Sequence, residues 1–182
     1  MSDFALGKVW AGESATRSDP SVYRRPDGGD EDQIVAEVAA VEGDILNGRY
    51  KSLTNAESGT LVPGTTVYLF SASSAKKTVV TALATAYCLG LVAASNGAGI
   101  LTTAAGSIQV NGEVTLTTAE WDAIAGTTGG LTAGTVYYAS ATAGALTSTL
   151  PAVTGNFDTT VGIALSATTL LLKQQTAPVA HA

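Results

Sequence analysis

The 182-residue chain is acidic and poor in charge: charged residues make up 13%, hydrophobic residues 46%, and the formal net charge is −6. Nine basic residues leave no electrostatic footprint for nucleic acid, and no apolar run approaches the roughly 20 residues of a membrane helix. The single cysteine, Cys88, excludes an intrachain disulfide and a cysteine-based zinc cluster.

Charge divides the chain unevenly. Residues 1–57 carry eleven acids and six bases; residues 58–182 carry four acids and three bases. The opening Met1-Ser2-Asp3-Phe4 lacks the charged region and apolar core of a signal peptide. Residues 1–29 scatter Phe4, Trp10 and Tyr23 among Gly, Ser, Pro and charges, with no period of 2 or 3.6. Pro20 and Pro26 bracket Tyr23-Arg24-Arg25. This reads either as an extended arm that orders on a partner, with aromatic and arginine anchors, or as a disordered leader.

A short helix is expected next. Asp30 suits the N-cap, Glu31 and Asp32 suit the first turn, and Gly43 suits the stop. Ile34, Val38, Val41 and Ile45 follow the spacing of a coiled-coil seam. A helix of this length needs packing to persist. Self-association about a three-fold axis and docking on its own β domain both satisfy that need. The acidic run Asp30-Glu31-Asp32 lacks the calcium-loop ligand pattern.

Residues 58–182 are rich in Thr, Val, Ala, Ser and Gly, which favours pleated strands punctuated by turns. The expected fold is mainly β: two repeated small modules with a short inserted helix, preceded by the arm and helix of residues 1–57. The first module is assigned to residues 58–112 and the second, with its helix, to residues 113–182. With so few charges to guard sheet edges, other subunits are expected to cover them.

The repeat is legible directly. Gly59-Thr60-Leu61-Val62-Pro63-Gly64-Thr65 matches Gly129-Gly130-Leu131-Thr132-Ala133-Gly134-Thr135. With one residue of slack, Val67-Tyr68 then matches Val136-Tyr137, so Leu69-Phe70 stands where the second copy has Tyr138-Ala139. A second shared element follows in each: Leu89-Gly90-Leu91-Val92-Ala93, and Val161-Gly162-Ile163-Ala164-Leu165. Small-residue hairpins are expected at Ser71–Lys77 and Ser140–Gly144, and closing strands at Ile100–Thr103 and Leu170–Lys173. Between the copies, Ser107–Val110, Asn111-Gly112 and Glu113–Leu116 read as a hairpin with a type I′ turn. Thr117 to Gly126 reads as a helix with a capping box at Thr117 and Glu120.

Catalytic chemistry finds little support. The only histidine, His181, is penultimate, a poor position for a general base. Cys88 reads as a buried hydrophobe. Gly97-Ala98-Gly99 lacks the rest of a dinucleotide fingerprint. Glu120 and Asp122 flank Trp121, yet residues two apart on a helix do not share a face, so the acids read as helix capping and Trp121 as an anchor. No enzyme activity, cofactor or metal site is expected.

The stretches Leu116–Asp122, Thr127–Tyr138 and Val161–Leu171 resemble a module of tailed-bacteriophage virion proteins, chiefly head decoration (capsid cement) and fibre proteins. The first copy resembles the decoration pattern of a Val-Tyr strand, a Gly-containing apolar strand and a further Gly-led strand. The resemblance spans residues 58–174. It implies a β-rich homotrimer on the outside of the head, assembled in the host cytoplasm, with the major capsid protein as partner and no catalytic residues. Residues 1–57 carry no such match. On that reading Phe4, Trp10, Tyr23, Arg24 and Arg25 are the expected capsid anchors. Ile34, Val38, Val41 and Ile45, with the sheet edges, are the expected self-association residues. The alternative is a fibre or tail-tip protein that binds a host receptor or glycan.

Overall fold

The glycines shared by the two copies adopt the same backbone. Thr65 N–H donates to Val62 O at 3.2 Å, and Thr135 N–H donates to Thr132 O at 3.1 Å. The third residue of each turn, Gly64 or Gly134, takes φ of +82° or +79°. That left-handed conformation belongs at the third position of a type II turn, behind Pro63 in the first copy. Both turns then engage the same neighbour: Gly64 N–H donates to Val92 O and Gly134 N–H to Ala164 O.

These turns sit in a computed structural model that describes residues 49–150, 152–173 and 177–181. All of them fall within one compact unit, Gly48–Ala182. The expected arm and first helix, with Phe4, Trp10, Tyr23, Arg24, Arg25, Ile34, Val38, Val41 and Ile45, lie outside the described residues.

The first module contains β1 (Tyr50–Asn55), β2 (Thr66–Ser71), β3 (Ser74–Lys77), the single turn α1 (Leu83–Ala86), β4 (Gly90–Val92) and β5 (Ala105–Gln109). The second contains β6 (Gly112–Thr115), α2 (Thr118–Ala125), β7 (Val136–Ala139), β8 (Leu146–Thr147), β10 (Thr160–Ala164) and β11 (Thr169–Leu172). A small ribbon of β9 (Phe157–Asp158) and β12 (Val179–Ala180) stands beside them. The mainly β expectation holds among the described residues.

Strand order shows how far the repeat extends. The second sheet runs β6-β11-β10-β7-β8; the first, started at β1, runs β1-β5-β4-β2-β3. Position by position these are one five-stranded plan. In the first module it closes, because β3 also pairs in parallel with β1 through Thr54↔Ser74 and Asn55↔Ala75. The repeat therefore takes in Tyr50–Asn55, which the sequence reading placed in the segment 1–57.

Register removes the residue of slack. Val67 lies across from Gly90, and Tyr137 lies across from Gly162. Val67 and Tyr137 are thus equivalent, both buried, and Leu69-Phe70 corresponds to Ala139-Ser140 rather than Tyr138-Ala139. Tyr137 fills its place with a larger side chain, and its hydroxyl accepts from Thr132 N–H at 3.0 Å.

Two further expectations are corrected. Ser107–Val110 and Glu113–Leu116 do not pair as a hairpin: β5 and β6 belong to different sheets. Both edges of β5 are already occupied, by β1 and β4. Gly112 takes φ of +80° but Asn111 does not take a positive value, so the type I′ geometry is absent. The closing strand of the first copy is β5, not Ile100–Thr103. Ile100 makes only an isolated bridge to Leu61, and Thr103 is turned out at φ +62°.

Inside the barrel each strand contributes one apolar side chain to the cluster: Leu53, Val67, Ala75, Val92 and Ile108, joined by Leu61 and Ile100. The second core is shared. Val114, Trp121, Ile124, Tyr137, Val161 and Leu170 pack with Val80, Cys88 and Leu91 of the first module. Gly64 enables this contact, since a Cβ there would meet Leu116, Ile124 and Trp121. The modules are also stitched by the backbone: Thr66 N–H donates to Gly144 O, Gly144 N–H to Thr78 O, and Phe157 N–H to Val80 O.

Candidate functional site

The helix with the acid pair is built from its caps inward. Thr117 precedes α2 and accepts at its hydroxyl from Glu120 N–H at 3.3 Å, while Thr117 N–H donates to Glu120 Oε2 at 2.8 Å. Gly126 ends the helix in the left-handed region. Hydrogen bonds from the Thr117 side chain, then from its backbone, hold the Glu120 carboxyl below its usual range. Asp122 turns to the loop that opens the second repeat. It accepts from Gly130 N–H at 2.8 Å, Thr127 Oγ1 at 2.9 Å and Gly129 N–H at 3.0 Å. The Gly130 bond is the main reason its carboxyl is also lowered. The two acids thus serve different loops, as the helical spacing predicts.

Trp121 is fully buried and donates Nε1–H to Thr168 O at 2.9 Å. It anchors α2 to the sheet. Cys88 is buried, and burial pushes its thiol up to about 11. His181 Nδ1 stands 3.8 Å from Asp158 Oδ2. Among the described residues no three His, Cys, Asp or Glu side chains are grouped to hold a metal ion.

Large apolar side chains are exposed at scattered positions, Leu101 and Val153 more than any at the hairpin, and two further features involve adjacent residues. One is the tip of the β2–β3 hairpin, where Leu69 is 50% and Phe70 53% exposed. Lys76 Nζ lies 4.2 Å from the Phe70 ring centroid, a cation–π contact that leaves the rest of the ring outward. The corresponding Ala139 in the second module is fully buried. The other is a groove of about 360 Å³ between the modules, lined by Val62, Pro63, Gly97, Ala98, Ala119, Glu120 and Ala123. Its lining of small residues gives no motif by which the sequence reading could find it. The hairpin pair was visible only as a departure between the copies.

The sheet edges offer less than expected. Closure removes them from the first module altogether. On β6 the Glu113 carbonyl accepts from Arg49 and from Gln109 Nε2, which blunts that edge. The opposite edge strand, β8, is two residues long. No helix of the described residues is long and apolar enough to cross a membrane.

No family model matches the sequence, and no curated protein matches it.

Proposed function

We propose that this chain is a structural protein of a tailed-bacteriophage virion: it coats the outer surface of the head as a homotrimer, binds the major capsid protein and cements the shell. The exposed Leu69-Phe70 tip is the observation that carries the reading. One plan is used twice, and only the first copy turns two large apolar side chains out at this hairpin. Adjacent exposed apolar side chains favour burial against a partner. The paired strand β3 sets Lys76, stacked on the Phe70 ring, and Lys77 beside the tip, so a partner surface that covers it would combine apolar contact with acidic groups at the rim.

Cementing follows by mass action. A protein that binds the assembled shell and not its separated subunits stabilises the shell. Repetition over a symmetric lattice adds avidity. The role is a binding one, with no reaction and no cofactor. Phe4, Trp10, Tyr23, Arg24 and Arg25 act as further capsid anchors, and Ile34, Val38, Val41 and Ile45 as the trimer seam.

The test is co-sedimentation of the full chain with purified heads, beside a Leu69→Ser/Phe70→Ser variant and a Trp10→Ala/Arg24→Ala/Arg25→Ala variant. Wild type should pellet with heads, and both variants should bind more weakly while keeping the wild-type melting temperature. Light scattering should give a trimer mass. A protein that is monomeric and stays in the supernatant overturns the proposal. Particle images with its density on the tail would favour the fibre or tail-tip reading.

A further inference from the structure

The sequence contains three Asn-Gly pairs, Asn47-Gly48, Asn96-Gly97 and Asn111-Gly112, of which the last two lie among the described residues. Such a pair holds latent chemistry. Glycine has no Cβ, so its backbone nitrogen can approach the preceding side-chain amide without hindrance. The fold treats these two pairs in opposite ways.

Asn96 is tied at every point. Its Nδ2 donates to Ala93 O at 2.9 Å and Ser107 O at 2.7 Å, and its Oδ1 accepts from Ser107 N–H at 2.9 Å. The nitrogen that would attack is turned away, since Gly97 N–H donates to Ala94 O at 3.1 Å. Reaction there requires the loop to open first.

Asn111 is exposed, and its amide is folded onto the next residue: Gly112 N–H donates to Asn111 Oδ1 at 2.7 Å. The attacking nitrogen is thus held against the oxygen of the very amide whose carbon it would attack, whereas the Gly97 nitrogen is bonded elsewhere. No partner among the described residues holds Nδ2, the atom that must leave.

The geometry points to Asn111 as a site of spontaneous deamidation in the folded protein, with Asn96 protected. Gly112 N loses its proton to solvent base and bonds to Asn111 Cγ. The Cγ–Nδ2 bond breaks and ammonia departs, leaving a cyclic imide. Water then opens the ring. Addition at Cγ breaks the N–Cγ bond and yields aspartate; addition at the backbone carbonyl carbon breaks the N–C bond and yields isoaspartate. Either product adds a negative charge at residue 111, one residue from Gly112, against which the Arg49 side chain packs. Isoaspartate also lengthens the backbone at the junction of β5 and β6, where Gln109 Nε2 bridges Asn111 O and Glu113 O.

The test holds the full-length protein at mildly alkaline pH, then digests it and measures aspartate and isoaspartate at both positions by chromatography and mass spectrometry. In the folded protein residue 111 should convert about tenfold faster than residue 96, or more, because only Asn96 waits on an opening step. In denaturant the two rates should converge. Equal rates in the folded protein, or no conversion at residue 111 while the denatured chain reacts, would overturn the assignment.

Discussion

Tyr137 lies directly across from Gly162 in the β7–β10 pairing, as Val67 lies across from Gly90 in the β2–β4 pairing. The glycine on the far strand is needed for a reason the sequence does not show. A Cβ built at Gly162 would fall on the Leu171 carbonyl, and one at Gly90 on the Gln109 carbonyl. Each internal glycine lets the neighbouring strand, β11 or β5, run close.

Gly162→Ala and Gly90→Ala should therefore each destabilise the protein by about 1–3 kcal/mol, the range for forcing extra atoms into a packed site. Gly59→Ala is the control, since nothing lies within 4 Å of a Cβ there. Denaturant midpoints of the three variants check this. A shift for Gly59→Ala as large as the other two would refute the close-approach account.

Asp122 gives a pH dependence of defined sign. Its folded carboxyl lies below the ordinary 3.8, chiefly through the Gly130 N–H. The folded state thus releases this proton more readily than the unfolded one. The stabilisation is present above the ordinary value and is lost as pH falls through the lowered one. Asp122→Asn should flatten the acid limb of a stability–pH profile below about pH 4 while leaving its neutral shape unchanged. An acid limb identical to wild type would show that these bonds do not favour the charged form.

The repeat was legible because its glycines are constrained by geometry that other residues cannot meet: Gly64 and Gly134 by positive φ, Gly90 and Gly162 by close strands. The strands that complete each plan were not. Tyr50–Asn55 and Gly112–Thr115 share no motif, and β1 joins the barrel through β5, more than fifty residues away in sequence. Asn111-Gly112 misled for the opposite reason. Its local turn chemistry is sound, but the edges of β5 were already taken by partners that a local reading cannot see. The capping box and the anchoring Trp121 were readable because a helix cap is decided within four residues. Of the candidate site, Leu69-Phe70 was legible as a difference between copies, whereas its exposure depended on register.

Cys88 should be inert in the native protein. Burial pushes its thiol up to about 11, and its Sγ–H donates to Gly90 O at 3.5 Å. The thiolate is the reactive form, so an aromatic disulfide reagent at neutral pH should modify Cys88 only after denaturant is added. Because the folded value is raised, the unfolded thiol ionises first between 9 and about 11, and stability should fall across that interval. Cys88→Ala should remove that part of the alkaline decline. Rapid labelling of the native protein would contradict the buried environment.

Trp121 joins α2 to both modules at once. Its ring packs beside the Gly64 turn of the first module, and its indole N–H is spent on Thr168 O in the second. Trp121→Ala removes both and should cost about 3–5 kcal/mol, the range for deleting a large buried aromatic. Trp121→Phe keeps much of the volume and loses the hydrogen bond, leaving Thr168 O without that donor, so it should fall between wild type and Trp121→Ala. If urea midpoints place Trp121→Phe level with wild type, the bond contributes nothing and packing alone holds the helix. If they place it level with Trp121→Ala, the bond rather than the packing fixes α2.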